Sequence, residues 1–253
     1  MAITALSPEQ KERRKFRVTG STAAGILGRS PYGPPSLACA VQRGEAEVEE
    51  NAAMRYGNIF EGAIRVAAQE DFLRGRIPYS KEPDVYERVE LSDSVFHAKH
   101  DWLVVHPDGI FPDAREGIQI KNHDPGIRFP GRPGSECGND AIPEHHLIQC
   151  QIEMETWRSV HGSQWKIWWL PVYQGGARLK LYRVMYDYEL ARDLLIVLED
   201  LWHRHINPEG PLEPVDDSLW KAWMDGTKEK TPPRRVSAEE LVSSAPVNLN
   251  SLA

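Results

Sequence analysis

The sequence predicts an α/β fold, a central mixed β-sheet flanked by helices, and three observations predict it. Helical periodicity dominates up to Phe72, and the period shortens towards two from Tyr79 to Lys121. A long helix, two further strands and a second long helix follow. A chain of 253 residues can bury one sizeable core, and 41% hydrophobic with 26% charged residues is a globular composition, neither disordered nor fibrous.

Each element follows from local chemistry. Ser7-Pro8-Glu9 opens a first helix, continued by the basic KERRKFR. In VTGSTAAGILGRSPYGPP, Thr19 or Ser21 caps a short small-residue helix and Gly28 stops it. SLACAVQRG and AAMRYGNIFEGAIRVAAQEDF are helices, with the acidic GEAEVEE between them as a solvated loop or helix edge. DVYERVEL, SVFHAKHDWLVV, DGIF and GIQIK read as successive strands, turned at Ser92-Asp93 and Pro112-Asp113. HDPGIRFPGRPGSECGNDAIP is too rich in Pro and Gly for either period and is a long irregular loop. Pro143 opens the helix PEHHLIQCQIEMETWRSV, and QWKIWWLPVY and RLKLYRVMY form strands around Gln174-Gly175-Gly176. A helix starts at Asp187. Beyond Asn207-Pro208 the chain turns proline-rich, so residues 1–207 are expected to form the main domain and 208–253 an appendage, with a small helix near DSLWKAWM and a disordered end.

Composition excludes several classes. No apolar run reaches the roughly 20 residues of a membrane span, and MAITALSPEQKERRKF has no apolar signal core, so a cytoplasmic protein is expected. Cys39, Cys137 and Cys150 are widely spaced, which argues for reduced thiols rather than a disulfide framework or zinc ribbon. A net charge of −7 argues against coating nucleic acid by bulk charge, yet permits a local basic track around an acidic metal site. GSTAAG is not a nucleophile elbow, and GRSPYG lacks the Gly-Lys-Ser/Thr of a P-loop.

The most informative stretch is EGIQIKNHD. In GIQIK the side chains of Gln119 and Lys121 share one strand face and the isoleucines the other. Alone, such a pair is more often the wet face of an edge strand. Here Glu61 on a preceding helix, and Asp101 and Asp108 on or beside the preceding strands, are candidates to converge with it. Phosphodiester hydrolysis needs such a set: hard oxygen ligands for Mg²⁺ and a lysine to steady the attacking hydroxide. His97, His100, His106 and His123 surround this region without zinc-ligand spacing, and His145-His146 marks a helix entrance. Trp165, Trp168 and Trp169 are expected in the core rather than as base-stacking platforms.

Over roughly Arg13 to Ile206 the order of motifs resembles the YqaJ-like viral recombinases and lambda exonuclease, within the PD-(D/E)XK nuclease superfamily. The motifs are VTGSTAAGILGRSPYG, MRYGNIFEGAI, HPDGIF with GIQIK, and HLIQCQIEM. The resemblance implies a restriction-endonuclease-like core and a Mg²⁺-dependent exonuclease, with Mn²⁺ as an alternative ion. It also implies duplex DNA ends as substrate, 5′→3′ resection, an annealing protein as partner, a homo-oligomer, and a phage-infected or prophage-carrying host. By the same resemblance Glu61, an Asp and the Ile120 carbonyl bind metal and Lys121 positions the nucleophile. Arg14 and Ser21, with Arg17 in the basic segment, meet DNA, the first two at its terminal phosphate, and Gln149 or Gln151 braces the site.

The pattern departs at Gln119, where the family has an acid; an amide offers a neutral oxygen in place of charge. The metal-binding Asp stays open between Asp101, at the start of a strand, and Asp108, in a Pro-Asp-Gly context that also suits a plain turn. A nuclease-fold DNA-binding module with lost catalysis, and a nicking or repair endonuclease, are the competing expectations.

Overall fold

The structure, a computed structural model, describes residues 8–49, 52–75, 82–123, 129–133, 138–174 and 178–229. The strand connection expected at Gly175-Gly176, much of the expected Pro/Gly-rich loop with Cys137, Ser7, and the residues after Glu229 lie outside them.

The helical first third comprises α1 (Pro8–Arg14), α2 (Gly20–Ile26), α3 (Pro35–Arg43) and α4 (Ala52–Leu73), with β1 (Val18–Thr19) leading into α2. Thr19, not Ser21, is the cap of α2: its hydroxyl accepts from the Thr22 N–H, and the Thr22 hydroxyl accepts from the Thr19 N–H. Gly28, just past α2, has φ +69°, a left-handed conformation that costs a glycine little.

DVYERVEL, expected as a strand, is instead a 3₁₀ turn at Pro83–Tyr86 followed by a single bridge from Glu90 to Ile110. Two side chains account for this. The Gln69 amide takes the Tyr86 and Glu87 carbonyls that a neighbouring strand would have used. The Tyr86 ring stacks on Phe72, and its hydroxyl donates to buried Glu116.

The strands form two sheets. In the smaller, β3 (Leu103–Val105) lies between β1, parallel to it, and β2 (Val95–Phe96), antiparallel to it. In the larger and mixed sheet, β4 (Gly109–Phe111) pairs antiparallel with β5 (Glu116–Ile118). β7 (Ile167–Gln174) runs parallel to β5 and to β6 (Lys121–His123), and its other edge pairs antiparallel with β8 (Arg178–Met185). Gly117 is fixed by packing, since a Cβ there would lie 2.3 Å from the Trp168 ring.

β5 and β6 are one strand with a gap: Ile118 faces Trp169 and Lys121 faces Val172, so the register is unchanged across Gln119 and Ile120. Pro171 of β7 brings no N–H to the ladder at this point. The Ile120 N–H turns to the Asp108 carboxylate.

Helix α5 (Glu144–His161) is buried on almost every side. Ile148 and Ile152 join a core with α2, β3 and α6 (Tyr188–His205), while Cys150, Met154 and Trp157 join a second core on the larger sheet. A third core packs Ile64, Ala68 and Phe72 of α4 against Ile118, Ile120 and Trp169. Trp165, Trp168 and Trp169 are all buried, as the sequence leads one to expect. Over its described part the segment after Asn207 is tied to the body. Asp217 accepts from the Ser36 N–H and hydroxyl, and Trp220 of α7 (Ser218–Glu229) donates to the Ser30 carbonyl.

Candidate active site

Between β5 and β6 the Gln119 side chain and the Ile120 N–H meet the bend that carries Asp108, while the Ile120 side chain stays in the third core. Asp108 Oδ2 accepts from Gln119 Nε2 at 2.7 Å and from the Ile120 N–H at 2.6 Å. Two donors on a carboxylate favour its charged form, but burial outweighs them and pushes its pKa up to about 7. Nearby Lys121 opposes this rise, and Glu61 adds to it.

Lys121 Nζ donates to Gln149 Oε1 at 2.9 Å, and Gln149 Nε2 donates to Glu153 Oε1 at 2.8 Å. Gln149 and Glu153 are four apart on α5 and therefore share a face. Glu153 also receives the Trp168 indole N–H at 3.2 Å. Burial, then Asp108, pushes its carboxyl up to about 8. Gly20, at the start of α2, is where this side chain fits: a Cβ would sit 2.8 Å from it. Glu61, on α4, pairs with Arg65 at 3.5 Å, while Arg65 donates to the Asp108 carbonyl at 2.8 Å. Burial raises the Glu61 pKa, against the pull of Arg65 and Lys121.

The structure thus brings together Glu61, Asp108, Gln119, Ile120, Lys121 and Gln149. Asp101 stands apart on an exposed turn, where its carbonyl accepts from Arg17 Nε. Arg17 is occupied by that contact, by the Arg13 carbonyl and by the Phe96 ring. Gln151 is also elsewhere: it donates to the Met185 carbonyl and accepts from the Asp187 N–H, joining α5 to the start of α6. Arg14 and Ser21 do meet, Nη2 to Oγ at 3.0 Å, and Thr19 Oγ1 lies 3.1 Å from the same hydroxyl. Burial lowers the Arg14 pKa, and Glu153 is the charge that opposes it. Glu153 is the residue that sequence reasoning missed. Its available signal was a carboxylate four residues from Gln149 on a helix with no polar face.

The donor set fits a hard divalent cation. Gln119 is 4% exposed, yet its Oε1 is buried without a partner among the described residues, because the amide nitrogen is the atom committed to Asp108. A buried amide oxygen left unpaired is costly, and a hard cation is a partner that it could accept. Among the described residues no group of three or more His, Cys, Asp or Glu side chains is arranged to hold a metal. The set therefore comprises two carboxylates, Glu61 and Asp108, with the Gln119 amide and the Ile120 carbonyl. His123, His145 and His146 form a separate cluster beyond Lys121; His123 and His146 touch at 2.7 Å, and burial lowers all three pKa values.

A mixed sheet flanked by helices, with carboxylates and a lysine gathered at a break in one strand, defines a nuclease-fold protein. Residues 9–157 match the YqaJ-like viral recombinase domain, and the chain belongs to that family. Two solved structures share the fold. The alkaline exonuclease of Laribacter hongkongensis is 15% identical with a TM-score of 0.52, over 88% of this chain and 96% of that one. The structure of a protein described as a putative exonuclease from Eubacterium rectale is 12% identical with a TM-score of 0.56, over 95% and 99%. No curated protein sequence matches the chain.

Proposed function

We propose that the protein is a Mg²⁺-dependent deoxyribonuclease, with Mn²⁺ as a substitute ion, that resects duplex DNA ends 5′→3′ and hands single strands to an annealing protein. The observation that carries this reading is the convergence of Asp108, Gln119 and Ile120 beside Lys121. Asp108, Glu61, Gln119 Oε1 and the Ile120 carbonyl would hold the metal, which would supply a more acidic water and charge neutralisation at the phosphate. Lys121 orients the attacking oxygen, and it is itself aimed by Gln149, which Glu153 anchors in turn. Arg14 and Ser21 bind the terminal phosphate, Arg14 as the charged donor.

Incubating linear duplexes, with and without a 5′-phosphate, in Mg²⁺, Mn²⁺ and EDTA tests the reading. Metal-dependent release of nucleotides from ends, lost in Lys121→Ala with end binding retained, is the expected result. Turnover that survives Lys121→Ala would remove that residue from the chemistry. Because Gln119 replaces a charged ligand, a second reading has its own support: a nuclease-fold module that binds DNA without cutting it. End binding with no cleavage in either metal selects that reading.

A further inference from the structure

One surface of α4 has no explanation in the core or in the cluster. Tyr56 is 53% exposed and Phe60 40% exposed, yet their rings stack at 6.2 Å and 25°. Being four residues apart they occupy one face of the helix. Phe60 in turn lies 6.2 Å from the ring of Tyr173 on β7, so three aromatic rings form a continuous row. The row leads towards the candidate site through Phe60, which immediately precedes Glu61; Tyr173, paired with Asn122, lies on the sheet face opposite the Lys121 side chain.

Two further features indicate what lies on it. Gly57 sits one turn before Glu61, and a Cβ added there would meet nothing within 4 Å, so protein packing does not demand a glycine. A glycine inside a helix costs about 1 kcal/mol relative to alanine, and open space beside a site suits close approach by a ligand. Exposed Arg55 flanks Tyr56 in the chain. Exposed aromatic faces beside a cation match a nucleic-acid strand, whose bases stack while its phosphates pair. In a duplex the base faces are already stacked on one another, so the row suits unpaired bases.

We propose that Tyr56, Phe60 and Tyr173 form a stacking shelf for the unpaired bases of the DNA strand that runs past the Asp108–Lys121 cluster. This rests on the nuclease reading for the position of the strand, and it goes beyond it by assigning base contacts, where that reading assigns only metal and phosphate contacts. A second copy of the chain is the competing occupant of the same face.

The test measures binding in EDTA of a labelled single strand and of an abasic strand of equal length, which keeps the phosphates and removes the bases. Wild type is expected to favour the base-bearing strand. Tyr56→Ala should weaken that strand about ten-fold, within the range expected of one base stack, and change the abasic strand less than about two-fold. Tyr56→Phe should restore binding. In Tyr56→Trp, emission should be quenched by the base-bearing strand alone, a readout that needs no loss of function. Equal losses on both strands, or no loss on either, overturn the shelf, as does a change of sedimentation on Tyr56→Ala, which would make the face a contact between copies. Metal-dependent cleavage is measured on the same preparations. Cleavage without base selectivity removes only the shelf; absent cleavage removes the nuclease reading, while the comparison of strands still decides the shelf.

Discussion

Replacing Gln119 by Glu restores the acid usual in the family and tests the site from the folding side. In the wild type a neutral amide donates to Asp108 Oδ2 at 2.7 Å. The variant puts a second carboxyl there, and two ionised oxygens at that separation repel by about 6 kcal/mol at an effective dielectric of about 20. Burial already holds a proton on Asp108 below about pH 7 in the wild type, so the metal-free variant avoids a second buried charge by holding one proton more than the wild type, and the cost of that extra proton sets the penalty. With an unfolded pKa of about 4.3, holding it costs roughly 4 kcal/mol near pH 7.5 and roughly 1.6 near pH 5.5, at about 1.36 per unit. The folded pKa is raised, so stability is fullest below the unfolded value and is lost as pH rises. Urea unfolding of wild type and Gln119→Glu in EDTA at the two pH values should show this widening gap. Saturating Mg²⁺ should close it, because a divalent charge between the carboxylates releases the proton and turns the added acid into a ligand. A stability difference that is the same at both pH values and indifferent to Mg²⁺ would refute the placement of Gln119 in the metal shell.

Three other outcomes follow from the same geometry. Burial holds Asp108 at about 7 and Glu153 at about 8, both above ordinary carboxyl values, so metal-free stability should fall as pH rises from about 4 to about 8; Glu153→Gln should flatten the upper part of that slope, as read from urea midpoints. Arg14→Ala should cost about 1–3 kcal/mol in transition-state binding on 5′-phosphorylated ends and little on hydroxyl ends, and equal losses in kcat/KM on both would make Arg14 a structural partner of Ser21 and Glu153. Asp108→Asn should abolish cleavage while Asp101→Asn leaves it near wild type, and the reverse result in the same assay would reject the assignment of Asp108.

Some of this architecture is legible in the sequence because it depends on nearest neighbours along the chain. Caps, helix periods and the buried tryptophans are of that kind: Thr19 and Thr22 are three apart, and Trp168 and Trp169 lie in one continuous apolar strand. The choice between Asp101 and Asp108 is not, since both stand beside strands in acceptable contexts. What separates them is a partner eleven residues further on, the Gln119 amide, together with an Ile120 N–H on the strand edge away from β7, past the end of the β4 ladder. Which edge that N–H occupies depends on a register between strands distant in sequence that no local pattern specifies.

The support for Lys121 was hidden for a different reason. Glu153 reads as an ordinary helical carboxylate until α5 is seen to be enclosed between two cores, which leaves that carboxylate no solvent to face. Burial then makes its hydrogen bond to Gln149 the means of fixing the lysine, and makes Gly20 the only residue type that fits against it without displacement. The VTGST segment therefore has two tasks in one stretch. Its hydroxyl residues and Arg14 form the contact proposed to meet the DNA end, and its glycine admits the carboxylate that anchors Gln149 behind Lys121. A substitution that enlarged Gly20 would thus disturb the lysine through Glu153 and Gln149 of α5.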